Sequence, residues 1–342
     1  MVHQSSQSGP LVYIPKKGPN AARYQTAKQA KEKRKKNKAL QTFLDVVVIL
    51  LVAGATYAMF KLTNVKPENQ EVNNPSVVAQ TPEKEEDEPE PEVTKEAIDL
   101  QPVLDSWATM FTRSVDVGVV IIDLDEDKVV GKLNPDEDFL TASLYKLFPV
   151  YEGYRRVENG EWSFSDASYG GYTVGECLDL AIRQSHSGCA ENLVAKIGAA
   201  NLNSIVQSYY GLENTNATEL VSTAADIAEM MRIYYNHKDL SNESYAKILD
   251  SMLNQGSDPD GNDYRGGLPK GFTRGTKVYN KVGWDWNGAY WVVYNDASIL
   301  EFPTANRHFA IAVMSTKFPS KDNITKLGDM LEEAILAYLE VE

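Results

Sequence analysis

From residue 96 to the end of the chain, apolar positions recur with two periods that mark out helices and strands. Ile98, Leu100, Val103, Leu104, Trp107 and Phe111 fall at helical spacing and predict a helix with one apolar face. Residues 115–124 are rich in β-branched side chains, and Asp125-Glu126-Asp127 turns the chain into a second strand over 128–133. An apolar helical run follows, with Ser143 at its start and Pro149 bending it beyond the first turns. Thr173-Val174-Gly175-Glu176 carries the Thr-x-x-Glu signature of a capped helix start. Further helices are expected over 190–198, 200–209, 223–236 and 242–254, and strands over 278–281, 290–301 and 308–315. Ile324, Leu327, Leu331, Ala334, Ile335 and Tyr338 predict a last amphipathic helix. Strands at both ends with helices between them predict an α+β fold. It is an antiparallel sheet of about five strands, flanked by N- and C-terminal helices, with an inserted helical subdomain. A site is expected in the cleft between the sheet and that subdomain.

The N-terminal third reads differently. Residues 43–60 (FLDVVVILLVAGATYAMF) form an apolar run broken only by Asp45 near its start. That is close to the ~20 residues that span a bilayer as a helix. Residues 1–42 hold ten Lys/Arg against one acid, Glu32, and only Lys61 and Lys66 follow the run closely. The positive-inside rule then places the N-terminus in the cytoplasm and the remainder outside. A cleaved signal peptide is the alternative, with Ala53-Gly54-Ala55 suiting a peptidase, but the long basic region and long apolar run favour an anchor. Residues 62–95 contain five prolines and an acidic run over 83–92, the composition of an extended, disordered spacer. The expected organisation is a basic cytoplasmic tail (1–42), a transmembrane signal anchor (43–61), an acidic linker (62–95) and an extracytoplasmic domain (96–342). This is a single-pass protein of the cell membrane.

Charge narrows the partners. The chain has 342 residues and a net charge of −14, of which residues 1–42 contribute +9, leaving −23 for the rest. That argues against nucleic acid as a partner of the main body. With two cysteines, four histidines, no zinc spacing and no His-Glu-x-x-His, no metal or other cofactor is implied. Cys177 and Cys189 lie near the starts of two consecutive expected helices, and outside the cytoplasm such a pair is more often bridged than free. A disulfide pinning those helices beside Ser185 is expected, two buried thiols being the alternative.

Chemistry concentrates at Phe139-Leu140-Thr141-Ala142-Ser143-Leu144-Tyr145-Lys146-Leu147. Neither a hydroxyl nor a solvated lysine is reactive alone at neutral pH. Spaced i, i+3 on a helix, Ser143 and Lys146 point the same way, and burial can lower the lysine pKa enough to make it a base. A second Ser-x-x-Lys, Ser244 to Lys247, reads as an ordinary polar helix face. Only the first copy is followed by two more polar clusters. Forty-two residues on comes Ser185-His186-Ser187-Gly188, between helices, and 96 residues after that Lys281-Val282-Gly283-Trp284, on a strand. A Ser-His-Asp hydrolase is set aside because the chain has no Gly-x-Ser-x-Gly elbow.

The ordered set resembles the three motifs of class A β-lactamases and penicillin-binding D,D-peptidases, Ser-x-x-Lys, Ser-x-Asn and Lys-Thr/Ser-Gly. Ser222-Thr223-Ala224-Ala225-Asp226 and Gly266-Gly267-Leu268-Pro269-Lys270-Gly271 resemble the stretches that flank the site in those enzymes. The resemblance covers about residues 96–342. It implies Ser143 as the acylated nucleophile, Lys146 as its base, Ser185 as a proton relay and Lys281 as a positive charge beside it. The backbone N–H groups of Ser143 and Trp284 would form the oxyanion hole. Ser187, Val282, Gly283 and His186 fall at substrate-binding positions, Gly283 keeping a side chain out of the substrate's path. His186 could also act as a base, a partly exposed loop histidine being the alternative. The chain departs from the pattern at Ser187, where the family has asparagine, and at Val282, where it has threonine or serine. No Glu-x-x-Leu-Asn loop lies between Gly198 and Thr223, where Glu213 and Glu219 read as surface residues. The implied activity is a serine hydrolase cleaving β-lactam amides through an acyl-serine. The alternatives are a D,D-peptidase or transpeptidase on cell-wall peptides, and a weakly active or inactive wall-binding domain. The partners implied are that substrate and the membrane, with the ectodomain expected to be monomeric.

Overall fold

Strands that are apolar on both faces must be covered on both, and this requirement sets the architecture. The computed structural model describes residues 97–110, 117–258, 261–286, 291–316 and 320–339. Those from Ile98 onward belong to one compact unit. The expected tail, anchor and linker lie outside the described residues. Strands β1 (Val117–Asp123), β2 (Lys128–Leu133), β5 (Lys277–Trp286), β6 (Trp291–Phe302) and β7 (Arg307–Ser315) form one sheet in the order β2-β1-β7-β6-β5. Every pairing is antiparallel. The expected α+β architecture is what the chain adopts.

The period of two sorts the strands between two cores. Val117, Val119 and Ile121 of β1, with Phe309, Ile311 and Val313 of β7, pack against helices α1 (Gln101–Ala108) and α9 (Lys321–Leu339). Their neighbours Val120, Ile122, Ala310, Ala312 and Met314 face the helical subdomain. Alanines on that face let helix α6 (Ala224–Asn236) lie close to the sheet, through Ala224, Ile227, Ala228 and Met231. Trp107 is fully buried, and its indole N–H donates to the Asn323 carbonyl, joining the two terminal helices.

The subdomain comprises α2 (Leu147–Glu158), α3 (Val174–Arg183), α4 (Ser187–Ile197), α5 (Ala199–Ser204), which runs on into a wider π turn, α6 and α7 (Asn242–Leu253). Helix α3 starts at the capping box read from the sequence. Thr173 Oγ1 accepts from the Glu176 N–H at 3.2 Å, and Glu176 accepts from the Thr173 N–H at 2.7 Å. Two short strands, β3 (Phe139–Leu140) and β4 (Val221–Ser222), pair with each other and tie the approach to Ser143 to the segment ahead of α6. Helix α8 (Leu268–Gly271) lies against α9.

Cys177 and Cys189 form the expected disulfide, with both residues fully buried and Cα atoms 4.8 Å apart. It joins the first turns of α3 and α4 and so encloses the loop that carries Ser185. Closing so short a loop stabilises the fold by about 2–4 kcal/mol, mainly by restricting the unfolded chain. Reduction, or Cys177→Ser with Cys189→Ser, is therefore expected to lower denaturant stability by about that amount. Equal unfolding midpoints for the oxidised and reduced chains would contradict this.

Candidate active site

Ser143 lies not in an α-helix but in a 3-10 turn, Ala142–Lys146, from which α2 continues at Leu147. This corrects the expected helical start. Three residues per turn eclipse positions i and i+3, so Lys146 stands directly over Ser143 rather than offset around the helix as α-helical spacing would place it. Pro149 falls in the first turn of α2, where its missing N–H costs nothing. Lys146 Nζ lies 2.7 Å from Ser143 Oγ and 3.3 Å from each of Ser185 Oγ and Ser187 Oγ. Lys281, from β5, donates to Ser185 Oγ at 2.9 Å and to the Val282 carbonyl at 2.8 Å. The structure thus brings Ser143, Lys146, Ser185, Ser187 and Lys281 into one hydrogen-bonded cluster. The second Ser-x-x-Lys is elsewhere, with exposed Lys247 paired to Glu243 on α7.

Three elements hold the nucleophile turn in place. Asn295, wholly buried on β6, donates to the carbonyls of Leu140 (2.7 Å) and Thr141 (3.2 Å). The Thr141 N–H donates to the Leu220 carbonyl at 2.8 Å. On the third side β5 presses close. A Cβ on Gly283 would stand 2.4 Å from the Thr141 carbonyl oxygen and 2.7 Å from Leu144. Gly283 is therefore required by the close approach of β5 to the turn. Ala142 and Ser185 both adopt left-handed backbone, φ 45° and 52°, conformations that cost of order 1–3 kcal/mol each in a non-glycine residue. Such a strained residue just before the serine turns Ser143 sharply out of β3 and towards Lys146.

Electrostatics follow from burial. Lys146 is 1% exposed and Lys281 wholly buried. Loss of water pushes the Lys146 amine down to about 8, against an opposing pull from the charge of Glu191. Lys281 is likewise pushed well below the ordinary lysine value, first by burial and then by the charge of Lys146. Two amines joined through the Ser185 hydroxyl do not both hold a proton cheaply. The positive charge expected on Lys281 is therefore not independent of Lys146.

A cleft of about 680 Å³ opens over the cluster, lined by Ser143, Lys146 and Ser187, by Trp284 and Asp285 of β5, by Glu191 of α4 and by Glu219. Trp284 is thus beside the nucleophile, as its oxyanion-hole assignment requires. Val282 is 1% exposed and gives the cluster its carbonyl, so no side chain of that residue reaches substrate. His186 is a partly exposed loop histidine, the alternative to a base. Its Nδ1 accepts from the Cys189 N–H at 3.1 Å and caps α4, which removes that nitrogen from base chemistry. Glu213 and Glu219 are both exposed, as expected, and Glu219 also forms part of the cleft wall. Glu191 and Asn295 were missed. Glu191 follows Ser187 by four residues, one turn along the same face of α4. Asn295 and Asp296 are a wholly buried polar pair in the middle of β6. Asp296, wholly buried and holding the Leu268 N–H at 3.0 Å, is pushed up to about 7 by that burial.

This fold and this cluster define a serine acyl hydrolase of the Ser-x-x-Lys type. Residues 163–338 match the profile of the Beta-lactamase enzyme family, and the chain belongs to that family. Among solved structures it is similar to PBP-A (19% identity, 70% of this chain and 99% of that one, TM-score 0.60). It is also similar to a β-lactamase from Chitinophaga pinensis (18%, 68% and 98%, 0.58). A third likeness is a PBP-A mutant solved as an acyl-enzyme complex with penicillin G (19%, 69% and 97%, 0.58). No functionally curated protein matches the chain in sequence.

A base that must be neutral gives an acylation rate that climbs with pH until its pKa is passed. The rate of Ser143 acylation is expected to rise tenfold per pH unit below about 8 and then level off. Glu191→Gln removes the charge that holds the Lys146 pKa up, so the rising limb is expected to move to lower pH. Stopped-flow acylation from pH 5 to 10 measures both. An unmoved limb, or one moved upward, would contradict the assignment of Lys146 as base.

Proposed function

We propose that the chain is a membrane-anchored, extracytoplasmic hydrolase that opens β-lactam amides through an acyl-Ser143 intermediate. The observation that carries this reading is the buried Lys146 amine 2.7 Å from Ser143 Oγ. As Oγ attacks the carbonyl carbon, Lys146 takes the hydroxyl proton. The oxyanion is received by the N–H groups of Ser143 and Trp284. Ser185, in reach of both amines, hands its proton to the departing amide nitrogen and recovers one from Lys146, so each proton removed is returned. Water then cleaves the acyl ester. The β-lactamase family match and the likeness to a penicillin G acyl-enzyme support acylation by this class of amide. Residues 43–61, with their basic flank, support the anchor.

A second reading, a D,D-peptidase acting on cell-wall peptides, is favoured by the likeness to PBP-A and by the absence of a Glu-x-x-Leu-Asn loop between Gly198 and Thr223. In that case the acyl-enzyme formed from a β-lactam persists.

Intact mass spectrometry of the full-length chain with a reporter penicillin tests both. Turnover through a transient adduct on Ser143 is expected, with none on Ser143→Ala. A long-lived adduct selects the peptidase, and no adduct on the wild-type chain contradicts both. On intact cells, a reporter that does not cross membranes is expected to label the protein in the membrane fraction. Labelling only after lysis would contradict the external location.

A further inference from the structure

Lys281 must hold its amine on Ser185, yet it stands on a strand with a neighbour on one side only. Strand β5 is an edge of the sheet, so its outward carbonyls have no further strand to pair with. Side chains take that place. The Val278 carbonyl accepts from Arg265 Nη1 at 3.0 Å, and the Asn280 carbonyl accepts from Gln255 Nε2. The Val282 carbonyl accepts from Lys281 itself at 2.8 Å. The direction of the backbone over residues 280–282 therefore decides where the Lys281 amine lies.

One residue fixes that direction. By the period of two, Asn280 follows Val278 onto the face towards α9, while Lys281 follows Tyr279 onto the face towards the subdomain. Asn280 is wholly buried, and its amide is used to capacity. Its Nδ2 donates to the Tyr264 carbonyl at 3.2 Å and to Asp296 Oδ1 at 3.3 Å. Its Oδ1 accepts from Gln255 Nε2 at 2.8 Å and from Arg265 Nη1 at 3.3 Å. Turning the amide over would set donors against donors and oxygens against oxygens, so only one orientation is satisfied. The partners come from three separate segments: the one that follows α7, the one that leads into α8, and β6. Asp296 is itself held by the Leu268 N–H at 3.0 Å and the Ser298 hydroxyl at 3.2 Å. Gly267 makes that grip possible, because a Cβ there would stand 2.5 Å from Asp296 Oδ2. None of Gln255, Arg265, Asn280 and Asp296 is among the residues that line the cleft.

We infer that Asn280 is a positioning residue of the acylation chemistry: its buried amide, fixed by Gln255, Arg265 and Asp296, aims Lys281 at Ser185 from the opposite face of β5. This rests on the acyl-serine reading and adds a residue to it. The step it serves is protonation of the leaving group. As the C–N bond breaks, Ser185 gives its proton to the nitrogen and recovers one from Lys146. A Ser185 hydroxyl no longer held by Lys281 presents that proton in the right direction less often. A thiolate departs without a proton, so a thioester bypasses the step.

The test compares the full-length wild-type chain with Asn280→Ala on two reporters, a penicillin and phenylacetylglycyl thioglycolate, an open-chain thioester. Stopped-flow acylation is expected to slow about tenfold or more on the penicillin and by less than about threefold on the thioester. The dissociation constant of the noncovalent penicillin complex is expected to stay within about twofold. A network that served only the stability of the sheet would slow both reporters alike or neither, and either result overturns the inference. Should Asn280→Ala fail to fold, Gln255→Met keeps the buried volume and removes one donor. The same loss, confined to the penicillin, is then expected at about threefold. A wild-type chain acylated by neither reporter sinks the acyl-serine reading, and the aim of Lys281 is then decided by ¹⁵N NMR of its amine, assigned by Lys281→Arg. That signal is expected to move in Asn280→Ala and in Gln255→Met. An unmoved signal overturns the inference, whatever the reporters show.

Discussion

The whole site depends on keeping one amine out of water. A solvated lysine beside a serine is an ammonium ion and takes no proton from it. The Lys146 side chain lies under the cleft floor, with its amine within hydrogen-bonding distance of three serine hydroxyls. Burial disfavours its charged form, and the hydroxyls compensate only in part, since none carries charge. A second buried amine, Lys281, adds like-charge repulsion to the pair. The protein bears this cost because the resulting base sits in place before substrate arrives.

Much of the fold serves to hold that arrangement rigid. The sheet supplies Lys281 and the glycine that lets β5 approach the nucleophile turn, and Asn295 from the next strand fastens the same turn through two carbonyls. The subdomain supplies Ser185 and Ser187, set between helices that a disulfide joins. Neither half is a site alone. Left-handed residues at Ala142, Ser185 and Leu220, three of the seven such non-glycine residues described, place backbone strain where side chains must converge.

The sequence made the layers legible because two core periods coincide with burial. Alternation in β1 and β7 and the 3.6-residue spacing in α9 each reflect a real face. The capping box at Thr173 and Glu176 worked for the same reason, being a local hydrogen-bond pattern. Strand β5 was read as far shorter than it is. Gly283 interrupts its β pattern, and the approach of the Thr141 turn accounts for that glycine. The 3-10 geometry at Ser143 was invisible because its apolar spacing is also that of an α-helix. His186 was read from its neighbours in a motif, whereas its cap on α4 is a matter of loop direction. Glu219 is a surface residue as read, and its place on the cleft wall was hidden because the β3–β4 pairing that ties its segment to the nucleophile turn joins positions some eighty residues apart.

The central claim is that Lys146 exchanges its proton near neutral pH. Heteronuclear NMR of the full-length chain with ¹⁵N-labelled lysine, assigned by Lys146→Arg, follows that amine directly. The account predicts a titration midpoint near 8, more than two units below an ordinary lysine. A midpoint at about 10.4 or above, the ordinary lysine value, would show a permanent ammonium ion beside Ser143 and contradict it.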